Sequence, residues 1–270
     1  TTYINDSDNG LTRRIWFNHY IAIRRANEVL RLIEIIEDPD LTEERKNIMK
    51  GQVKFLRGFS YYRLILFFGE NIPLINENEN ATTFDQLLVP GAADGEVWRQ
   101  VETDLENAET LLPESWSGDD KGRATKGAAV GILGKAYMQR GLYDQALTQF
   151  EKIINGEVGS YSLVEDFRDN HTEENEFNEE SLFEIQMAPN GSQAGQWFAY
   201  SQNAGIGRWF NIEASQEVLN VFQNDNSGDP RYHMTFYAPD GAYRIDGEDT
   251  IDYAFDLTAG SRTSGIITIR

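Results

Sequence analysis

Three glycines, Gly127, Gly131 and Gly134, fall at i, i+4 and i+7 of residues 126–154, a stretch in which every other signal is helical. Each glycine weakens a helix interior by roughly 0.8–1 kcal/mol relative to alanine, so the three together cost about 2–3 kcal/mol. They share one helix face. A face without side chains predicts a neighbouring helix in close approach, with the packing gain offsetting the lost propensity.

The same stretch carries a repeat-like spacing. Leu133-Gly134, Tyr137, Gly141, Tyr143, Ala146 and Phe150 follow the order of small and large positions in a tetratricopeptide repeat, a helix–turn–helix unit of 34 residues. The proline that usually closes such a unit is missing, because Val158 or Gly159 occupies that region. Upstream, residues 11–37 place Trp16, Tyr20, Ile23, Asn27 and Leu30 at 4-3-4-3 spacing. A second stripe of Ala22, Ala26, Val29, Ile33 and Ile36 lies beside it. Asp38-Pro39 should stop this helix, and Asp40, three residues before Glu43, is placed to cap the next one. That helix should run over 42–68, with Ile48, Phe55, Phe59, Tyr62 and Leu66 on one face, until Gly69 and Pro73 end it. The two helices form an antiparallel hairpin. A third helix is marked by Trp98, Val101, Leu105, Ala108 and Leu112 and closed by Pro113.

Beyond Gly156 the pattern changes. Residues 181–187, "SLFEIQM", alternate so that Phe183, Ile185 and Met187 face one way, which predicts a half-buried strand. Residues 214–222 predict a short helix, and "GIITI" near the end predicts another strand. The remainder reads as loop. Residues 1–155 therefore read as a helical scaffold, and 156–270 as a loop-rich ligand-binding region with short strands, the two integrated in one domain.

Charge narrows the function classes. Against 24 Lys and Arg stand 44 Asp and Glu, a formal net charge of −20. Such a surface repels phosphate backbones and anionic membranes, which argues against a nucleic-acid partner. The absence of cysteine excludes disulfides, thiol nucleophiles and cysteine zinc sites.

No catalytic constellation stands out. His19, His171 and His233 are far apart and lack ligand spacing, and neither G-x-S-x-G nor a P-loop occurs. His19 lies beside an apolar helix face, where packing explains it. The 44 acids single out no carboxylate pair of the kind glycoside hydrolysis requires. Within "DGEDTID", Asp246, Glu248 and Asp252 offer alternating oxygens that would suit calcium, though the EF-hand pattern is missing. No other cofactor or metal is indicated.

The segment 189–211, "PNGSQAGQWFAYSQNAGIGRWFN", differs from its surroundings. Five of its 23 residues are aromatic, and Arg208 is its only charge. Trp197, Tyr200 and Trp209 supply flat faces suited to the apolar side of a pyranose ring. Gln196, Asn203 and Arg208 supply partners for its hydroxyls. That chemistry fits a neutral sugar and moves no proton. Trp16 and Trp98 sit in helical stripes and read as core; Trp116, on a loop, is a weaker candidate.

Five pieces in order resemble the SusD/RagB family, the SusD-like surface glycan-binding lipoproteins of Bacteroidetes. They are "YIAIRRAN" at 20–27, "FLRGFSYYRLILFFGENIPLI" at 55–75, "RATKGAAVGILGKAYMQRGLYDQAL" at 123–147, "SLFEIQM" at 181–187 and "DPRY" at 229–232. The resemblance implies a mainly α fold, a degenerate α-solenoid of tetratricopeptide-like helix pairs packed against a loop-rich region with a few short strands. It implies non-catalytic binding of oligosaccharide or polysaccharide at the cell surface. The protein would be lipid-anchored in the outer membrane when full length and would deliver its ligand to a SusC-like TonB-dependent transporter. Family members are considerably longer, so the chain reads as truncated at both ends. Three alternatives remain open: a peptide-binding member of the same family, a tetratricopeptide adaptor for a protein tail, and a glycoside hydrolase.

Overall fold

The computed structural model describes residues 10–78, 89–171 and 175–185, residues 217, 220 and 221, and four two- or three-residue strands beyond them. The chain divides into two compact units, residues 1–163 with 179–184, and residues 164–178 with 185–270.

The first unit is helical. Its helices are α1 (Gly10–Leu32), α2 (Glu43–Phe68), α3 (Glu96–Leu111), α4 (Lys126–Gln139) and α5 (Tyr143–Ile154). Each packs on the next, and α2 is sandwiched between α1 and α3. The apolar stripes turn inward as their spacing requires. Ile23, Phe55, Leu64, Val101, Leu105 and Leu133 are among the fully enclosed side chains of one continuous core.

The helix ends differ from the sequence expectation in two places. α1 stops at Leu32 rather than at 37. The Ile35 amide donates to the Leu32 carbonyl at 3.0 Å, a tighter turn than an α-helix makes. Asp38-Pro39 disfavours helix just downstream. The apolar periodicity overshoots because Ile33 is still buried after the helix has ended, whereas Ile36 is exposed. At the start of α2 the cap is Thr42, not Asp40: the Thr42 hydroxyl accepts from the Arg45 amide at 3.2 Å. Asp40 instead donates its own amide to Asp38 Oδ1 at 2.9 Å, part of the turn after the proline. α2 ends at Gly69, which adopts φ 79°, a left-handed value that favours glycine, and donates its amide to the Ile65 carbonyl.

The glycines of α4 do a different job from the one their spacing suggests. A Cβ at Gly134 would lie 2.5 Å from the ring of Phe150 on α5, so that ring fills the notch. Gly127 receives the Tyr161 ring, and Gly131 receives Leu182. Gly134 and, through Ile153 at 3.9 Å, Gly131 thus face α5, and all three glycines accept side chains rather than a second backbone. Close helix approach occurs instead between α2 and α3. A Cβ on Gly51 would meet Leu111 and Leu112 at 3.0 Å, and one on Gly58 would meet the Asp104 Cβ at 3.1 Å.

Residues 181–185 are not a strand. Phe183 docks its ring edge-on against Phe55, centroids 4.9 Å apart, but Ile185, which should share its face, is 66% exposed. Alternation marks sidedness, but a strand also needs a hydrogen-bonded neighbour, and none pairs with 181–185 among the described residues. Met187 lies outside them.

Among the described residues of the second unit are a short 3₁₀ turn at Phe167–His171, helical positions at Glu217, Asn220 and Val221, and two small ladders. β1 (Phe236–Tyr237) pairs antiparallel with β4 (Ile267–Thr268), inside the expected terminal strand. β2 (Tyr243–Ile245) pairs antiparallel with β3 (Asp249–Ile251).

Candidate functional site

The densest polar constellation among the described residues is buried in the first unit. Arg57 of α2 is 2% exposed and Asp104 of α3 is 0% exposed. Arg57 grips Asp104 with two parallel bonds, Nε to Oδ2 at 2.7 Å and Nη2 to Oδ1 at 2.8 Å. Its Nη1 donates to Asn27 Oδ1 of α1 at 2.6 Å and also to Glu77. Asn27 then donates from Nδ2 to the Ile75 carbonyl at 3.0 Å. The Tyr61 hydroxyl donates to that same carbonyl and accepts from the Ile75 amide, both at 2.8 Å. One knot thus joins three helices to the segment after α2.

Electrostatics keeps this knot charged. Burial alone would lower the Arg57 pKa, but the Asp104 and then the Glu77 carboxylates outweigh it and raise it above the ordinary arginine value. Burial likewise pushes the Glu77 carboxyl up, and the Arg57 bond outweighs that and holds it below the ordinary range. A fork-shaped guanidinium suits such bidentate geometry in a way a lysine would not. With its donors engaged by Asp104, Asn27 and Glu77, Arg57 is a fixed structural element and not a group free to act on substrate. Asn27, sitting on an otherwise apolar stripe, is explained by its two partners.

The tryptophans of the first unit fit the same structural reading. Trp98 is buried against Tyr62, with the Arg140 guanidinium 5.6 Å from its ring centroid. Trp16 packs on Tyr20 and Phe68. Trp116 donates from Nε1 to the Ala124 carbonyl at 2.8 Å, a carbonyl that also accepts from Gln52 Nε2. That bond fixes Trp116 against the turn leading into α4. His19 is half-buried, and burial followed by the Arg63 charge lowers its pKa. Among the described residues no group of His, Asp and Glu could hold a metal ion, and no helix is long and apolar enough to cross a membrane.

The residues named from sequence as sugar-binding, Gln196, Trp197, Tyr200, Asn203, Arg208 and Trp209, lie outside the described residues, as do the calcium candidates Asp246, Glu248 and Asp252. What sequence reasoning missed is the Arg57 knot. Its signal was present as a lone arginine and a lone asparagine on apolar faces, but the partner Asp104 is 47 residues away and carries no local mark.

A buried polar knot joining successive helices defines the first unit as a helical scaffold. Residues 2–138 match the SusD-like family model described as starch-binding and associating with the outer membrane, and the chain belongs to this family. Residues of the knot fall in two of the pieces that carry the resemblance: Asn27 ends "YIAIRRAN", and Arg57, Tyr61 and Ile75 lie within "FLRGFSYYRLILFFGENIPLI". The description is that of a binding family, not of a catalyst.

A SusD-like protein of Bacteroides ovatus is 24% identical over 271 residues, covering 93% of this chain and 47% of the relative. SusD-like protein P2 of Formosa agariphila is 28% identical over 152 residues, covering 56% of this chain and 28% of the relative. The chain thus spans less than half the length of these relatives. A solved SusD superfamily protein from Bacteroides vulgatus superimposes with a TM-score of 0.71 at 26% identity, covering 90% of this chain and 50% of that one. A laminarin-binding SusD-like protein superimposes with a TM-score of 0.68 at 25% identity, covering 84% and 53%.

Proposed function

We propose that the protein binds a neutral oligosaccharide or polysaccharide at the outer surface of a bacterial outer membrane, without turning it over, and passes it to a SusC-like TonB-dependent transporter. Family membership carries the reading, since the matching family is described as starch-binding and outer-membrane-associated. Laminarin, bound by one solved relative, is itself a neutral glucan, and a net charge of −20 disfavours uronic-acid polymers. Full length, the protein is lipid-anchored at the cell surface. Trp197, Tyr200 and Trp209 stack on sugar rings, while Gln196, Asn203 and Arg208 bond hydroxyls. Such binding needs no cofactor. Asp246, Glu248 and Asp252 form a separate calcium candidate, to be tested by adding EDTA.

Affinity electrophoresis against laminarin, starch and a uronic-acid polymer, with a Trp197→Ala/Trp209→Ala variant alongside, tests the reading. The expected result is retardation by a neutral glucan that the double variant loses, unchanged by EDTA. Retardation surviving in the variant would keep the function and discard the site. If a folded protein is retarded by none of these, and a peptide ligand is bound instead, the glycan reading fails. Release of reducing sugar would sink the non-catalytic part.

A further inference from the structure

The protein is acidic, yet α1 is not. Residues 10–68 hold eleven Lys and Arg against seven Asp and Glu, whereas the rest of the chain holds thirteen against thirty-seven. Five of the eleven are arginines of α1, and Arg13, Arg14, Arg24, Arg25 and Arg31 are all exposed. Their spacing places them on the helix face opposite the buried Ile23, Ala26 and Leu30. Between them, on that same outward face, Phe17 is 58% exposed and Ile21 40% exposed. Among the described residues none of the five arginines pairs with a carboxylate. The contrast with Arg57, which is engaged on every side, is complete.

We infer that this outward face of α1 is a docking surface for another protein, one presenting carboxylates around an apolar socket. Phe17 and Ile21 form a small apolar centre. Arg13 and Arg14 flank it at one end, and Arg24 and Arg25 at the other, about 15 Å along the helix. An apolar middle with arginines at its margin is the composition of protein interfaces. Arginine is the cation that bonds carboxylates bidentately. On a chain otherwise crowded with acids, a face with five exposed arginines and one exposed glutamate, Glu28, steers an acidic partner to itself. A lipid surface fits less well. An interfacial helix needs a broad apolar face to bury, and α1 has already committed its broad apolar face to the core. This inference is independent of the glycan site.

The test is made in the producing bacterium with the protein at its natural length. Phe17 is replaced by photo-reactive p-benzoylphenylalanine, and Leu147, 55% exposed on α5, carries the same probe as a control. Position 17 should give an adduct with another protein, sequenced to an Asp- and Glu-rich surface, and position 147 should not. Adding Arg24→Glu and Arg25→Glu should cut the yield by at least about tenfold, the scale expected for close interfacial charge pairs. The probe and both reversals lie on the exposed face, so circular dichroism and glycan retardation should be unchanged. An adduct with lipid, polysaccharide or a second copy of this chain overturns the inference. So does no adduct from position 17, or one indifferent to charge reversal. Loss of glycan retardation in the wild-type protein would count against the proposed function alone.

Discussion

Two regions of the first unit solve the problem of packing helices by opposite means. Around α1, α2 and α3 the contact is polar at its centre, with buried Arg57 bonded to buried Asp104 and Asn27 and, at its partly exposed edge, to Glu77. Between α4 and α5 it is a matter of shape, with the Phe150 ring set into the space Gly134 leaves empty. The difference follows from what each must hold. The first region has to fix a loop, and a loop's backbone groups need hydrogen-bond partners: Ile75 receives them from Asn27 and Tyr61. The second joins two helices whose backbone groups are already satisfied, so fitting volumes is enough.

The comparison can be broken most severely at Asp104. Asp104→Ala strips Arg57 of its bidentate partner and leaves a buried charge half-compensated. The expected loss is about 3–5 kcal/mol of unfolding free energy, read from urea denaturation. A loss below 1 kcal/mol would mean that the polar knot is incidental to stability.

Gly134→Ala tests the other region. Alanine regains about 1 kcal/mol of helix propensity, but its Cβ would sit 2.5 Å from the Phe150 ring. Overpacking of this kind costs about 1–3 kcal/mol. The net expectation is a loss of about 1 kcal/mol by the same denaturation, relieved when Phe150→Leu is added. A stabilised single variant would show that Phe150 swings aside freely and that the notch is not a packing device.

The smallest effect sharpens the polar side alone. Glu77 has its folded pKa depressed by Arg57 relative to the ordinary 4.5, so its contribution is complete above that value. It is lost as the pH falls through the lower folded value. The wild-type protein should therefore exceed Glu77→Gln in thermal stability at pH 7, with the gap shrinking below pH 4.5 and closing in stronger acid. The gap is modest because Glu77 is 31% exposed and solvent screens the pair. A gap that stayed constant with pH would assign Glu77 a role other than its charge.

Much of the scaffold was legible in the chain. Periodicity located the helices, because a helix that buries one side must repeat its apolar residues at its own pitch. The third helix came out with all five of its stripe residues buried or capping: Trp98, Val101, Leu105, Ala108 and Leu112. The family resemblance was legible too, through motifs whose residues form the Arg57 knot. The candidate sugar site was legible only as chemistry, since aromatic and amide residues in one stretch name a kind of ligand but not a geometry.

What sequence determined by itself, then, was the set of local choices: where helices form, which sides they bury and what the residue types could bind. These depend on neighbours within a turn or two. Tertiary structure alone decided three matters. Arg57 belongs with Asp104, 47 residues away. Gly51 and Gly58, not the α4 glycines, lie against the Cβ atoms of a neighbouring helix. Residues 181–185 dock through Phe183 without joining a sheet. Each depends on which distant segment arrives as a partner, and partner choice is settled by the competition of all surfaces for burial at once.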